Sequence, residues 1–392
     1  MELSAVEPMS ALTLQGSAIP ASDDPYRALY VHLPFCASRC AYCDFTTEAV
    51  PASDERIDRY VEGLVRAVRA ATREGLLGTV ETVYIGGGTP THIGLRRLVS
   101  LIYTLSLSLL LTPDTEFTLE ANPESLSPQL ARDVFALGVT RFSLGVQSFD
   151  DAELRALGRP HDARTAHAAI DAARERCENV SVDLMCGIPC QTKRSWDRTL
   201  DAVLAHDVSH VSVYPLTLEE GTPMAKAVCL GSVASPDEDL QAQMMLAASA
   251  RLEAAGLTRY EVASYARPAA HCRHNKAYWT GLPYLGIGAG AVSMRMAGGM
   301  RERLLDGSVQ ERLSPLEADV EDLMLGMRLR EGVASLRVRE VSARLPQLSA
   351  AFDELVSLGL VMRDNDRLCV TERGWLLGNE VFARIWSCVT VQ

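Results

Sequence analysis

The chain has 392 residues with a formal net charge of -12, from 38 Lys and Arg against 50 Asp and Glu. An acidic balance of that size argues against broad nucleic-acid binding, which needs clustered cations for phosphate. At 47% hydrophobic residues, with no run near the roughly 18 apolar residues of a membrane span, the composition is that of a globular protein large enough for two or three domains.

Residues 1 to 25 are rich in Ser, Ala and Pro and lack a basic stretch followed by an apolar core, so they read as a disordered leader rather than a signal peptide. Ten Cys without such a signal indicate a reducing cytoplasm. From Ala28 a pattern of strand, loop and helix repeats. Short apolar runs stand at Ala28–Leu33, Val80–Ile85, Phe117–Ala121, Arg141–Leu144, Val180–Leu184 and Val211–Tyr214, with helix-period segments such as Glu55–Arg73, Leu126–Leu137, Asp162–Arg176 and Lys193–Ala205 between them. Six such units in a row predict a parallel α/β sheet, a barrel or an incomplete (β/α)6 barrel, with functional residues just past the strand ends.

The strand ends carry the expected chemistry. After the first comes YVHLPFCASRCAYCDF, which sets Cys36, Cys40 and Cys43 in a C-x3-C-x2-C pattern. A structural zinc wants four ligands, usually as two pairs, and there is no second C-x2-C pair; a disulfide would leave one Cys over. Three thiolates suit a four-iron cluster with one iron left open. The second strand runs into Gly86-Gly87-Gly88-Thr89, where backbone can approach a ligand closely, although a plain strand-to-helix turn remains the alternative. Glu120 and Asp183 close two further strands and read equally as ligand carboxylates or as helix caps.

The cysteine spacing, with Tyr42 before the last Cys, resembles the radical S-adenosylmethionine (SAM) family. Together with YIGGGTPT, LEANPESL, FSLGVQSF, LGRPHD, DLMCGIPCQT and YPLTLEEGTP, it is similar to the branch that holds oxygen-independent coproporphyrinogen III oxidase and the heme chaperones. The resemblance implies a radical SAM barrel over 26–258 and a 4Fe-4S cluster on Cys36, Cys40 and Cys43. It also implies SAM contacts from Tyr30, Tyr42, Gly87, Gly88, Thr89, Glu120, Gln147, Arg159 and Asp183.

A helix is expected from Ser235 to Gly256. Beyond it, a connecting region over 259–314 carries CRHNKAYWTGLPYLGIGAGAVS, Cys272–Ser293. By residue type alone, His274, Asn275, Tyr278 and Trp279 read first as a polar core cluster. The H-N-x-x-Y-W motif of the heme-chaperone branch instead implies His274 as a heme ligand. Val292 stands where that branch usually has a second His, and it cannot ligate iron. Cys186 and Cys190 depart from the family pattern and read as core substitutions, with a redox pair as the alternative.

The last segment, 315–392, predicts helices at Leu316–Arg330, Val338–Leu345 and Leu348–Leu358. A hairpin over Leu360–Thr371 follows, turning at Asp364-Asn365-Asp366, so this is a small winged-helix-like domain expected to pack on the barrel and cover its mouth. Oxidases of the branch resemble C-x3-C-x2-C-x-C, whereas Asp44 and Phe45 follow Cys43 here. The resemblance therefore favours a heme chaperone over a decarboxylating oxidase. It implies heme, heme-accepting respiratory proteins, a transient membrane-associated acceptor and a homodimer as partners; the acidic charge argues against nucleic acid.

Overall fold

The alternation of apolar and polar residues along each strand sets the architecture. In the computed structural model, which describes residues 22–23 and 25–390, the six expected strands appear as β1 (Tyr26–Leu33), β2 (Leu77–Gly87), β3 (Glu116–Ala121), β4 (Arg141–Gln147), β5 (Val180–Cys186) and β6 (His210–Pro215). They pair in parallel and in sequence order. One face of these strands is apolar: Leu29, Val31, Val83, Phe117, Leu119, Phe142, Val182 and Val211 are buried in one core with the covering helices. The intervening positions are polar. Thr82, Thr118, Arg141, Ser143, Ser181, His210 and Ser212 are buried as well, and bonds such as Ser181 Oγ to His210 Nδ1 at 2.7 Å show that they share the inner face. The usual barrel interior is apolar; this one is polar, so its side chains must find hydrogen-bond partners across the sheet.

The helices follow from amphipathic periodicity. In α1 (Glu55–Arg73) the buried residues Ile57, Tyr60, Val61, Leu64, Val68 and Ala71 fall on one stripe, and Asp54 caps the start by accepting from Arg56 N. The other covering helices are α2 (Leu95–Ser108), α3 (Pro128–Ala136), α4 (Ala163–Arg174), α5 (Lys193–Ala205) and α6 (Glu238–Ala254).

The region expected only as a connection turns out to extend the sheet. Ser264–Ala266 adds antiparallel to β6, and Thr258–Arg259 pairs antiparallel beyond it as the edge on that side. On the other side, β7 (Tyr284–Ile287) lies parallel to β1, so the parallel set numbers seven strands rather than six. A meander of β8 (Val292–Ala297), β9 (Met300–Leu305) and β10 (Ser308–Leu313) then completes a 12-stranded mixed sheet. The sheet is open, an incomplete barrel.

The last domain has its own core, built from Val320, Leu323, Val341, Leu348, Phe352, Leu355 and Ile385 among others. Its helices α8 (Pro315–Gly326), α9 (Ser335–Ser342) and α10 (Gln347–Ser357) precede the predicted hairpin, Val361–Asp364 with Arg367–Val370. Ser314 and Glu317 form a capping box at the start of α8. Two arginine–aromatic sandwiches dock the domain. Arg328 lies 4.9 Å from the Trp279 ring and 4.2 Å from Phe382, and Arg259 lies 4.6 Å from Tyr265 and 5.3 Å from Trp375. The expected leader falls largely outside the described residues. No described helix is long and apolar enough to cross a membrane.

Candidate functional site

The loop after β1 is pinned at both ends. Phe35–Cys36 pairs with Glu48–Ala49, and Glu48 N and Val50 N donate to Pro34 O and Cys36 O at 2.7 and 3.0 Å. The intervening turn carries Cys40 and Cys43, linked by a Cys43 N–H bond to Cys40 O. All ten cysteines are free, so no disulfide forms here and Cys186 and Cys190 are not paired. Among the described residues no trio of His, Cys, Asp and Glu is close enough to hold a single metal ion. Three thiols on one wall of a pocket, without a fourth, suit a cluster with one open iron better than a structural zinc.

Cys36, Cys40 and Cys43 line a cavity of about 150 Å³ at the strand ends, shared with Tyr42, Gly87, Gly88, Thr89, Glu120, Gln147, Arg159 and Asp183. The glycines are required by crowding. A Cβ on Gly88 would stand 2.8 Å from Cys36 Sγ and one on Gly87 2.7 Å from the His32 ring, so the β2 turn lies directly against the cysteine loop. Glu120 accepts from Gly87 N at 3.1 Å and from Tyr84 Oη at 2.6 Å. Burial, helped by the Asp183 carboxylate, pushes Glu120 up to about 7. Burial likewise raises Asp183, against hydrogen bonds from Ser212 and Ser143. Gln147 holds a positive φ of 69°, a strained backbone of the kind found where a side chain is aimed at a ligand.

One residue of this site lay inside a recognised motif without being singled out. Asn122 donates from Nδ2 to Thr89 Oγ1 at 2.8 Å and accepts from Arg159 Nη2 at 2.6 Å. Thr89 Oγ1 donates in turn to Cys36 Sγ at 3.5 Å and Arg159 Nη1 to Cys40 Sγ at 3.4 Å. Two of the three sulfurs therefore meet donors ordered by Asn122. Burial pushes the Cys36 thiol up to about 11, opposed by the Thr89 bond, and raises Cys43 as well.

Two predicted residues lie elsewhere. Tyr30 lines a separate cleft together with Tyr278, Trp279 and Tyr284, while its hydroxyl meets His32 Nδ1 at 3.0 Å. His274 sits on the helix α7 (Arg273–Trp279), whose first N–H groups, at Arg273 and His274, donate to the Glu116 carboxylate at 2.9 and 3.0 Å. The residue is 1% exposed, with Nδ1 held by Thr82 Oγ1 at 2.8 Å and Nε2 by Tyr278 Oη at 2.9 Å. Burial, with Arg141 adding, drops it to about 3 and keeps it neutral. An imidazole with both nitrogens engaged does not present itself as an open iron ligand, which departs from the expectation for this motif. The winged-helix-like domain also departs from expectation: no residue beyond Asp183 lines the strand-end cavity, whereas Glu321 and Leu325 border the cleft.

Residues 30–203 match the Radical SAM superfamily and residues 313–377 the HemN C-terminal domain. A protein named heme chaperone HemW from Mycobacterium tuberculosis is 36% identical over 378 residues, spanning 92% of this chain and 95% of its own length. The chain belongs to the radical SAM superfamily, in the HemW family. A HemW from Synechocystis is 33% identical over 92% of this chain and 97% of its own. The mouse protein named radical S-adenosyl methionine domain-containing protein 1, mitochondrial, is 36% identical over 88% of this chain and 84% of its own. Coproporphyrinogen III oxidase (HemN) from Escherichia coli has a solved structure that superposes with a TM-score of 0.77 at 21% identity, covering 95% of this chain and 92% of that one. That likeness is one of fold. Membership of the superfamily brings a 4Fe-4S cluster and SAM as cofactors, and the three thiols with their donors fit that pair.

Proposed function

We propose that this chain is a cytoplasmic heme chaperone that binds heme and passes it to respiratory hemoproteins, a membrane-associated one among them, with dimerisation as part of the cycle. The observation that carries this reading is its identity of 36% to a HemW over nearly the whole of both chains. Cys36, Cys40 and Cys43 would hold the cluster. Tyr42, Gly87, Gly88, Thr89, Glu120, Gln147, Arg159 and Asp183, which share the strand-end cavity, would hold SAM. When bound, the cluster supplies single electrons to SAM. The protein's own contribution is positional: Glu120 offers a carboxylate to a cationic group, Gly87 and Gly88 let the ligand approach the backbone, and Asn122 aims Arg159 and Thr89 at the sulfurs.

The position two residues past Cys43 is Phe45, 64% exposed, where the oxidases of this branch carry a further Cys. The deciding experiment is anaerobic incubation of the reconstituted protein with SAM and coproporphyrinogen III, beside a heme titration read by absorbance. We expect no decarboxylated product and a saturable Soret shift. Product formation overturns the reading in favour of the oxidase.

A further inference from the structure

At the end of β4 the backbone is held in a conformation it would not choose alone. Gln147 has a φ of +69°, and Ser148 N donates to Val146 O at 2.9 Å, so the chain makes a γ-turn about Gln147 in its rare, strained form. The pairing of β4 with β5 shifts register at the same place, between Gly145 and Gln147. Glycine would take that φ without strain. Glutamine keeps a side chain there, and among the described residues nothing hydrogen-bonds its amide, although the residue borders the thiol-lined cavity. Strain of this kind persists only where the surroundings over-determine it.

The segment that follows supplies the hold. Val146 O, the acceptor of the γ-turn, takes a second bond from His161 Nε2 at 3.1 Å, which fills both of its lone pairs. A carbonyl can only accept, so that nitrogen carries the hydrogen; the other, Nδ1, faces Glu124 Oε2 at 3.4 Å, and the side chain is wholly buried. Two residues earlier, Arg159 Nη2 donates to Gly145 O at 2.6 Å, so one short segment grips successive carbonyls of the strand end. On the far side of the turn, Ser148 Oγ donates to Glu153 Oε2 at 2.6 Å. Glu153, 1% exposed on the short helix Asp151–Ala156, also accepts from Gln191 Nε2 at 3.0 Å, and Gln191 Oε1 accepts from Gly187 N at 2.7 Å in the turn after β5. Resting on the SAM reading above, we propose that His161 and Glu153 are positioning residues that lock the γ-turn from its two sides and so aim the Gln147 amide at SAM. Neither lines the cavity, so both act through Gln147.

The test measures SAM affinity by equilibrium dialysis of the anaerobically reconstituted full-length protein, with iron content as the check of fold and cluster. Gln147→Gly relieves the turn but removes the amide, and should weaken SAM binding about tenfold. His161→Leu leaves Val146 O one bond short; with the productive turn reduced to about a tenth of the molecules, SAM should bind about tenfold more weakly at unchanged iron content. His161→Gln, which can still donate to Val146 O, should recover to within about threefold of the parent. Glu153→Ala and Glu153→Gln should repeat that contrast, because an amide oxygen can still serve Ser148 and Gln191. The deciding readout is the double variant Gln147→Gly/His161→Leu, which should bind SAM no more weakly than Gln147→Gly, since the amide through which His161 acts is gone. Parent-like affinity in iron-replete His161→Leu, Glu153→Ala or Gln147→Gly, or losses that add in the double variant, overturn the positioning role. If His161→Leu holds no iron, the Glu153 variants decide by the same comparison, with Gln147→Gly/Glu153→Ala as the double variant. A parent that carries its iron yet binds no SAM removes the SAM reading and this inference with it, whereas the other outcomes leave that reading standing.

Discussion

Glu120→Gln isolates the electrostatics of the strand-end pocket. In the parent, burial foremost and the neighbouring Asp183 carboxylate raise Glu120 from 4.5 to about 7, while bonds from Tyr84 and Gly87 pull the other way. The folded protein thus keeps a proton that the unfolded chain releases at lower pH. Stability from that proton is complete below about 4.5 and is lost as pH rises through about 7. A span of about 2.5 decades in proton affinity corresponds to about 3 kcal/mol. Gln has nearly the same shape, retains an oxygen for Gly87 N, and has no proton to lose. The unfolding free energy of Glu120→Gln, relative to the parent, should therefore rise by up to about 3 kcal/mol between pH 5 and pH 8. Urea unfolding of the reduced, cluster-free proteins, followed by circular dichroism, measures it, because the other titrating groups are common to both and cancel in the difference. A difference that stays flat across that range refutes the burial argument. The carboxylate also has a ligand role in the proposed site, so SAM affinity of the loaded parent should climb as pH passes through 7 and stay level in the Gln variant.

Each of Cys36→Ser, Cys40→Ser and Cys43→Ser should bring iron content and visible absorbance after reconstitution to background, whereas Cys190→Ser, at an exposed and unpaired thiol, should leave both unchanged. Glu116→Gln takes the charge from the acceptor of two N–H groups at the start of α7. It should cost about 1–2 kcal/mol, seen first as faster hydrogen exchange at Arg273 and His274. Gly332→Ala would set a Cβ 2.0 Å from Leu368 O at a φ of +58°, so it should destabilise the last domain by upwards of about 2 kcal/mol in thermal unfolding. Gly75→Ala, at a φ of +74° with open space around it, carries only the backbone penalty of about 1 kcal/mol.

The parallel strands were legible because they run from polar turns into short apolar stretches, and the chemistry at their ends was legible because a parallel sheet delivers its strand ends to one rim. The Asp364–Asp366 turn was readable for a similar reason: it is a local arrangement among neighbours in sequence. The strand β7, between β1 and the meander, was not. Its glycines resemble a loop, and what they answer to is remote. A Cβ on Gly286 would stand 2.3 Å from Val292 O and one on Gly288 2.7 Å from His32 O, contacts that exist only once β7 has joined β1.

The same joining explains Tyr30. In register it stands between Tyr84 on β2 and Gly286 on β7. Glycine fills no space on the β7 side, and there the Tyr30 ring borders the cleft instead of the thiol-lined cavity. His274 poses the matching problem from the other direction. Its residue type read as a polar core cluster and only the H-N-x-x-Y-W motif implied a heme ligand; what holds the ring is Thr82, 192 positions away in sequence, on a helix whose first N–H groups meet Glu116. An imidazole in water is free to take a metal; one whose two nitrogens already close a bridge from the sheet to Tyr278 must break a buried hydrogen bond to do so. That cost is about 1–3 kcal/mol for the group left unpaired.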